Sequence, residues 1–193
     1  MQKLSENIEF VNVHARPSDE YALCEHCYRR MVIIENFNFQ CDFCGGYPWI
    51  GDDNDFTSLV NKLQGASNIL RESNKKLLIE NTYEPPHLMR RLMESLPEWG
   101  FTLDIGHALI APASPLEFIY MLRDQIQHLH LHDNMGGNSE LFHDKHLPPG
   151  EGIASWNSIA MALRQIGFKG TATFECDVEI LWFDNFRHTL GFS

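Results

Sequence analysis

Two hydrophobic periods alternate along this chain. In 8–14, IEFVNVH, apolar residues fall mostly at every second position, the spacing of a strand with a buried face. In 56–70, Phe56, Leu59, Val60, Leu63, Ile69 and Leu70 recur at helical spacing. KLLIEN (76–81) returns to the strand pattern, and PHLMRRLMESL (86–96) sets Leu88, Met89, Leu92, Met93 and Leu96 on one helical stripe. FTLDIGH (101–107) is expected to be a strand. The helix SPLEFIYMLRDQI opens with a capping box, with Ser114 as cap, Pro115 at the first helical position and Glu117 at the third. HLHLHD (128–133) is the next strand, SWNSIAMALRQI the next helix, stopped by Gly167, and GTATFECD (170–177) the last strand. Strands that alternate with helices imply parallel βαβ units, hence an α/β sheet or barrel. No internal repeat interrupts the order.

Composition narrows the class. With 193 residues, 44% hydrophobic and 21% charged, the chain is expected to be a soluble globular protein with one core and room for a small module. No apolar run approaches the ~20 residues of a membrane span, and MQKLSENIEF lacks the apolar core of a signal peptide, so a cytoplasmic protein is expected. The net charge of −11 disfavours non-specific contact with nucleic acid without excluding it, since bound metal would offset charge locally.

CEHC (Cys24, Cys27) and CDFC (Cys41, Cys44) are two Cys-x-x-Cys pairs separated by thirteen residues. Four thiolates make a closed tetrahedral shell for structural zinc, and the β-rich stretch between the pairs suits a short hairpin. A zinc ribbon is therefore expected over 23–50, inserted between a first strand and its flank (1–22) and the remaining α/β units (51–193). Two disulfides are the alternative, disfavoured in a reducing compartment. Cys176 is left over as a packed thiol.

Candidate chemistry gathers at the C-terminal ends of the strands, where parallel α/β proteins bind ligands. In chain order these ends carry His14, Glu80, Asp104 with His107, His130, and Glu175. Five successive strands thus bring metal-type ligands to one edge, a mixed oxygen and nitrogen set suited to Mn²⁺, Zn²⁺, Mg²⁺ or Co²⁺. HLHLHDN (128–134) places His128, His130 and His132 on one strand face.

LLIENT, FTLDIGHAL, HLHLHDN, HDKHLPPGEG and GTATFECD resemble, in order and spacing, motifs of the xylose-isomerase-like TIM-barrel superfamily, which includes sugar-phosphate isomerases and epimerases and the AP endonuclease family 2. The resemblance covers about 5–20 and 55–180. It implies a metal held by Glu80, Asp104, His130 and Glu175, with Glu80 and Glu175 as the catalytic proton carriers. It implies contact of His107 with substrate, and a second metal or substrate site drawing on His14, His107, Asp144 and His146. By position on the strand, His132 is a further candidate for substrate contact and His128 a hydrogen-bonded barrel residue.

The matched strands correspond to the last five of eight, and a full barrel takes about 250 residues. The expected fold is therefore a partial (β/α) TIM barrel, the last five βα units, with an inserted zinc ribbon. An open five-stranded sheet is expected to expose edges and an apolar inner face, and so to need a homo-oligomer or a partner chain that completes the barrel. The resemblance implies a metal-dependent sugar or sugar-phosphate isomerase/epimerase. The alternatives are an AP endonuclease-like zinc phosphodiesterase and a degenerate barrel that serves as a binding module.

Overall fold

The structure is a computed structural model that describes residues 9–14, 21–24, 30–32, 48–49, 53–70, 75–82, 84–110, 113–136, 144–176 and 186, with backbone alone for 21–24, 30–32, 48–49, 53–55 and 69. Five strands form one parallel sheet: β1 (Phe10–His14), β5 (Lys76–Glu80), β6 (Gly100–Asp104), β7 (Ile126–Leu131) and β8 (Thr171–Phe174), adjacent in chain order. Between β1 and β5 lie β2 (Tyr21–Cys24), β3 (Arg30–Val32), β4 (Pro48–Trp49) and helix α1 (Asp53–Leu70). The short strands pair antiparallel in the order β3-β2-β4. Cys24 ends β2, whereas Cys27, Cys41 and Cys44 lie outside the described residues, and the ribbon expectation with them.

Helices α2 (Pro86–Ser95), α3 (Ile105–Ile110), α4 (Pro115–Met121) and α5 (Trp156–Gln165) connect the later strands. Each buries the stripe its spacing marks. Leu88, Met89, Leu92, Met93 and Leu96 of the α2 segment are at most 1% exposed. Burying side chains of this size stabilises by roughly 1.5–3 kcal/mol each. The capping box of α4 is present: the Leu116 N–H donates to Ser114 Oγ and the Ser114 N–H to a Glu117 carboxylate oxygen, each at 3.2 Å. Beyond α5, Gly167 takes φ 68°, a left-handed conformation open to glycine.

Two expectations are corrected. The strand expected over 101–107 ends at Asp104, and Ile105–Ile110 is helical. The Asp104 carboxylate accepts the His107 N–H at 2.7 Å, which caps the helix three residues on and turns the chain out of the sheet. His107 therefore stands in the first turn of α3 rather than on a strand.

The inner face of the sheet is also largely polar rather than apolar. Val11, Val13, Leu77, Ile79, Phe101, Leu103, Leu129, Leu131, Ala172 and Phe174 join the core formed with the helices. Since side chains alternate along a strand, the other face carries Asn12, His14, Glu80, Thr102, Asp104, His128, His130, Thr171 and Thr173, with Leu78 and Phe10 as its apolar members, Phe10 packed on the His128 ring with centroids 4.6 Å apart. His128 fixes part of this polar layer, with its Nδ1 2.6 Å from Thr171 Oγ1 and its Nε2 3.0 Å from Thr173 Oγ1. Burial holds the His128 pKa down to about 4, so the ring is neutral.

Candidate metal centre

The parallel register brings the strand ends level. His14 stands beside Glu80 across β1 and β5, and Asp104 beside His130 across β6 and β7. Glu175 follows β8, its N–H 3.3 Å from Leu131 O. Glu80, Asp104, His130 and Glu175 each offer a ligand atom, and these atoms lie within 4.8 Å of one another. His130 Nδ1 is 3.2 Å from Glu80 Oε1, 3.1 Å from Glu175 Oε1 and 3.5 Å from Asp104 Oδ2. None of these approaches has hydrogen-bond geometry, so this buried nitrogen lacks a hydrogen-bond partner among the described residues.

That orphaned nitrogen is the fit test for a cation. Three carboxylates around one imidazole, with Asp104 0% and Glu80 3% exposed, concentrate negative charge where water is scarce. A buried charge of this kind requires a counter-ion. In the protein alone the histidines supply it. Burial lowers the His130 pKa, but the carboxylates of Asp104 and Glu80 outweigh that and raise it to about 10. His107 goes to about 12, with Asp104, Asp144 and Glu80 overcoming burial. Burial pushes the Glu80 and Asp104 carboxyls up, yet the histidines, His107, His130 and His14 around Glu80 and His107, His130 and His132 around Asp104, hold both below the usual range. A divalent cation supplies this charge more compactly, and three carboxylates with one imidazole match the donors such a cation takes.

Around these four residues stands a second layer. Asn12 Nδ2 donates to Glu80 Oε2, and His14 Nε2 lies 3.3 Å from the same oxygen. Asn81 grips the Asp104 backbone in both directions: its Oδ1 accepts the Asp104 N–H at 2.9 Å and its Nδ2 donates to Asp104 O at 3.0 Å. Asn81 O lies 3.0 Å from His107 Nδ1, which leaves His107 Nε2 facing Asp144 Oδ2, also at 3.0 Å. His146 Nε2 reaches that Asp144 oxygen from another side at 2.9 Å, and its Nδ1 is 2.6 Å from Glu175 O. Burial raises the Asp144 carboxyl, yet His107 and Asn134 hold it well below the usual range.

His132 does not open toward a mouth, as its position after the strand suggested. It is 0% exposed, with Nε2 2.9 Å from Asp104 Oδ1. Its ring stacks on that of His146, with centroids 4.1 Å apart, and lies against Gly106, where any Cβ would collide with it. Of the residues singled out from sequence, His14, Glu80, Asp104, His107, His130, His132, Asp144, His146 and Glu175 thus form one connected group, while His128 lies in the layer below, its ring edge-to-face with that of His130 at 5.2 Å. The polar partners Asn12, Asn81 and Asn134 were missed. For Asn81 and Asn134 the available signal was an asparagine directly after an acidic residue, in IEN and HDN, and Asn12 carries none.

The family pattern of the xylose isomerase-like TIM barrel matches residues 10–191. An uncharacterized protein of Methanocaldococcus jannaschii is 33% identical over 114 residues, 56% of this chain and 43% of that protein. A second from the same organism is 38% identical over 79 residues, 39% of this chain and 25% of that protein. Each match therefore spans less than half of the relative's length. Among solved structures, a D-tagatose 3-epimerase-like protein has a TM-score of 0.60 at 24% identity, covering 70% of this chain and 54% of its own. A xylose isomerase domain protein from Planctomyces limnophilus also has a TM-score of 0.60, at 16% identity, covering 75% of this chain and 57% of its own. An L-ribulose 3-epimerase has a TM-score of 0.55 at 15% identity, covering 72% of this chain and 46% of its own. At such identities the structures establish the fold, a parallel five-stranded half-barrel with its helices. The chain belongs to the xylose isomerase-like TIM barrel family.

Proposed function

We propose that this chain carries the metal site and proton-transfer machinery of a sugar or sugar-phosphate isomerase/epimerase. One observation carries the reading: the convergence of Glu80, Asp104, His130 and Glu175 around a buried imidazole nitrogen that has no hydrogen-bond partner among the described residues. The solved neighbours named for 3-epimerase chemistry support a sugar as the substrate class.

Glu80, Asp104, His130 and Glu175 would hold one divalent cation. When bound, it supplies Lewis acidity that polarises a substrate carbonyl and acidifies the adjacent C–H bond. The protein's own groups do the rest. Glu80 stands at the end of β5 and Glu175 beyond β8, with β6 and β7 between them. A substrate carbon held between the two carboxylates can lose its proton to one and regain a proton on its opposite face from the other, which inverts that carbon; a proton returned instead to the neighbouring carbonyl carbon, with the hydroxyl proton passing to the former carbonyl oxygen, moves the carbonyl by one position. The Glu80 carboxyl is held ionised by His107, His130 and His14, as a proton acceptor must be. The first turn of α3 brings His107 to the same pocket, its Nδ1 3.4 Å from a carboxylate oxygen of Glu80 and of Asp104, where it helps to hold both ionised.

The test is exchange of the carbon-bound proton of a ketose with solvent deuterium, over a panel of ketoses and their phosphates, with Mn²⁺ or Co²⁺ supplied. We expect metal-dependent exchange with at least one member, abolished by Glu80→Gln and by Glu175→Gln. Protein reconstituted with any partner it needs, and inert toward the whole panel, would sink the reading.

A second reading, a zinc phosphodiesterase of the AP endonuclease type, is favoured by Asp144, whose Oδ2 lies between His107 Nε2 and His146 Nε2, and by His14 beside Glu80. Metal-dependent nicking of abasic DNA, with no exchange on any ketose, would decide for it. Cys24, Cys27, Cys41 and Cys44 are proposed to hold a separate structural zinc. Cys41→Ser should then lower bound zinc by one ion per chain and expose 23–50 to protease. Unchanged zinc content would remove the ribbon.

A further inference from the structure

Two residues at the end of HLHLHDN, Asp133 and Asn134, lie outside the chemistry derived above. Both are 0% exposed. A fully buried carboxylate is costly unless every lone pair is met. Asp133 meets its four with donors from one direction in the chain. Its Oδ1 accepts the N–H groups of Asn134 at 2.9 Å and Ala154 at 3.0 Å, and its Oδ2 accepts the Gly150 N–H at 2.9 Å and Trp156 Nε1–H at 2.8 Å. Its backbone forms a two-way antiparallel bridge with Leu147, at 2.7 and 3.0 Å. A Cβ at Gly152 would collide with Asp133 Oδ1, so the segment wraps the carboxylate at glycine distance. Asn134 continues the grip one residue on. Its Oδ1 accepts the Lys145 N–H at 2.7 Å, and its Nδ2 donates to Asp144 Oδ1 at 3.0 Å and to Gly106 O at 3.1 Å.

These bonds share one effect. They fasten 144–156 to the end of β7, and that segment carries Asp144 and His146. Asn134 occupies one oxygen of Asp144 and leaves the other to His107 and His146. His146 sits at φ 46°, a conformation uncommon for a residue with a side chain, which persists where surrounding structure over-determines it. Apart from Glu175, whose backbone oxygen His146 contacts, Glu80, Asp104, His130 and Glu175 make no hydrogen bond to 144–156 among the described residues. The site is thus built in two tiers: four ligands at the strand ends of the sheet, and a separately anchored segment laid over them.

We propose that Asp133 and Asn134 are positioning residues that carry the 144–156 segment onto the site and set the orientation of Asp144 and His146, independently of the four-ligand centre. The proposal rests on the site reading above.

Asp133→Asn tests it in the full chain. Donors stand at both carboxylate oxygens, so either orientation of the amide turns its NH₂ toward two of them. Three readouts separate the tiers. Amide exchange over 147–155 should quicken about tenfold while α2 and residues 160–165 of α5 keep wild-type exchange. The side-chain ¹⁵N signals of His107 and His146 should shift in the metal-free protein, while that of His128 stays. Zinc affinity at the four-ligand centre, by calorimetry, should remain within about threefold, since no bond to those four side chains is removed. Should Asp133→Asn fail to fold, Gly152→Ala leaves the carboxylate intact, drives the segment off it, and should give the same signature. Wild-type exchange and histidine signals in both variants would overturn the proposal. So would loss spread over α2, α5 and the zinc affinity alike, which would make Asp133 a general core residue. A chain that binds no zinc beyond the ion lost in Cys41→Ser would instead count against the metal reading, leaving the exchange and ¹⁵N results to judge the anchor.

Discussion

Asp104 shows how closely fold and chemistry are joined at a single residue. Its Oδ1 caps α3 through the His107 N–H and lies 2.9 Å from His132 Nε2, while its Oδ2 faces His130 Nδ1 at 3.5 Å. The surrounding histidines neutralise the carboxylates in the metal-free protein, and this has a measurable result. With a pKa raised to about 10, His130 carries a proton at pH 7, and a metal ligand must be neutral imidazole. Cation binding at pH 7 should therefore release about one proton from His130, and affinity should climb with pH until about pH 10 is passed. Calorimetry in two buffers of different ionisation enthalpy reads the proton directly. Heats that do not depend on the buffer would mean that His130 is not displaced from its proton, and hence is not a ligand.

At the scale of elements, most of the order was open to reading. Alternating periods located β5, β7 and α2, and the expected strand ends carry Glu80, His130 and Glu175 because parallel sheets present one edge. The break after Asp104 was not read, because FTLDIGH keeps an apolar rhythm across a strand end and a helix start. Only the Asp104 cap distinguishes them, and a cap is visible once the turn is known. The inner face differs from expectation for a related reason: alternation marks two faces without saying which one the helices cover, and Val11, Val13, Leu77 and Ile79 pack with the helices. Contacts among distant segments, such as Asp133 with 147–156, leave no local pattern at all. The capping box at α4 was legible, since it depends only on neighbours. Ser114→Ala should cost about 1 kcal/mol in denaturant unfolding. Ser114→Thr should keep most of the bond. Equal losses from both would mean that the box does not hold the helix start.

For the whole molecule, the sheet order leaves β1 and β8 each with one neighbour among the described residues. Unpaired strand edges are sites of association. We expect the 193-residue chain to be multimeric at micromolar concentration, or to become monodisperse only with a chain that supplies the remaining strands. Light scattering with sedimentation checks this, and a monodisperse monomer with a cooperative melt would contradict it.

The polar inner face bears on which partner that is. His14, Thr171 and Thr173 stand exposed there among these polar side chains. A greasy surface laid over them by chance strips their water and leaves polar groups unmet, at a cost of about 1–3 kcal/mol each. A matched strand that offers hydrogen bonds to them removes that cost. The open side of this half-barrel thus works as a filter. It rejects the indiscriminate stickiness that exposed sheets invite, and admits a companion that answers it atom for atom.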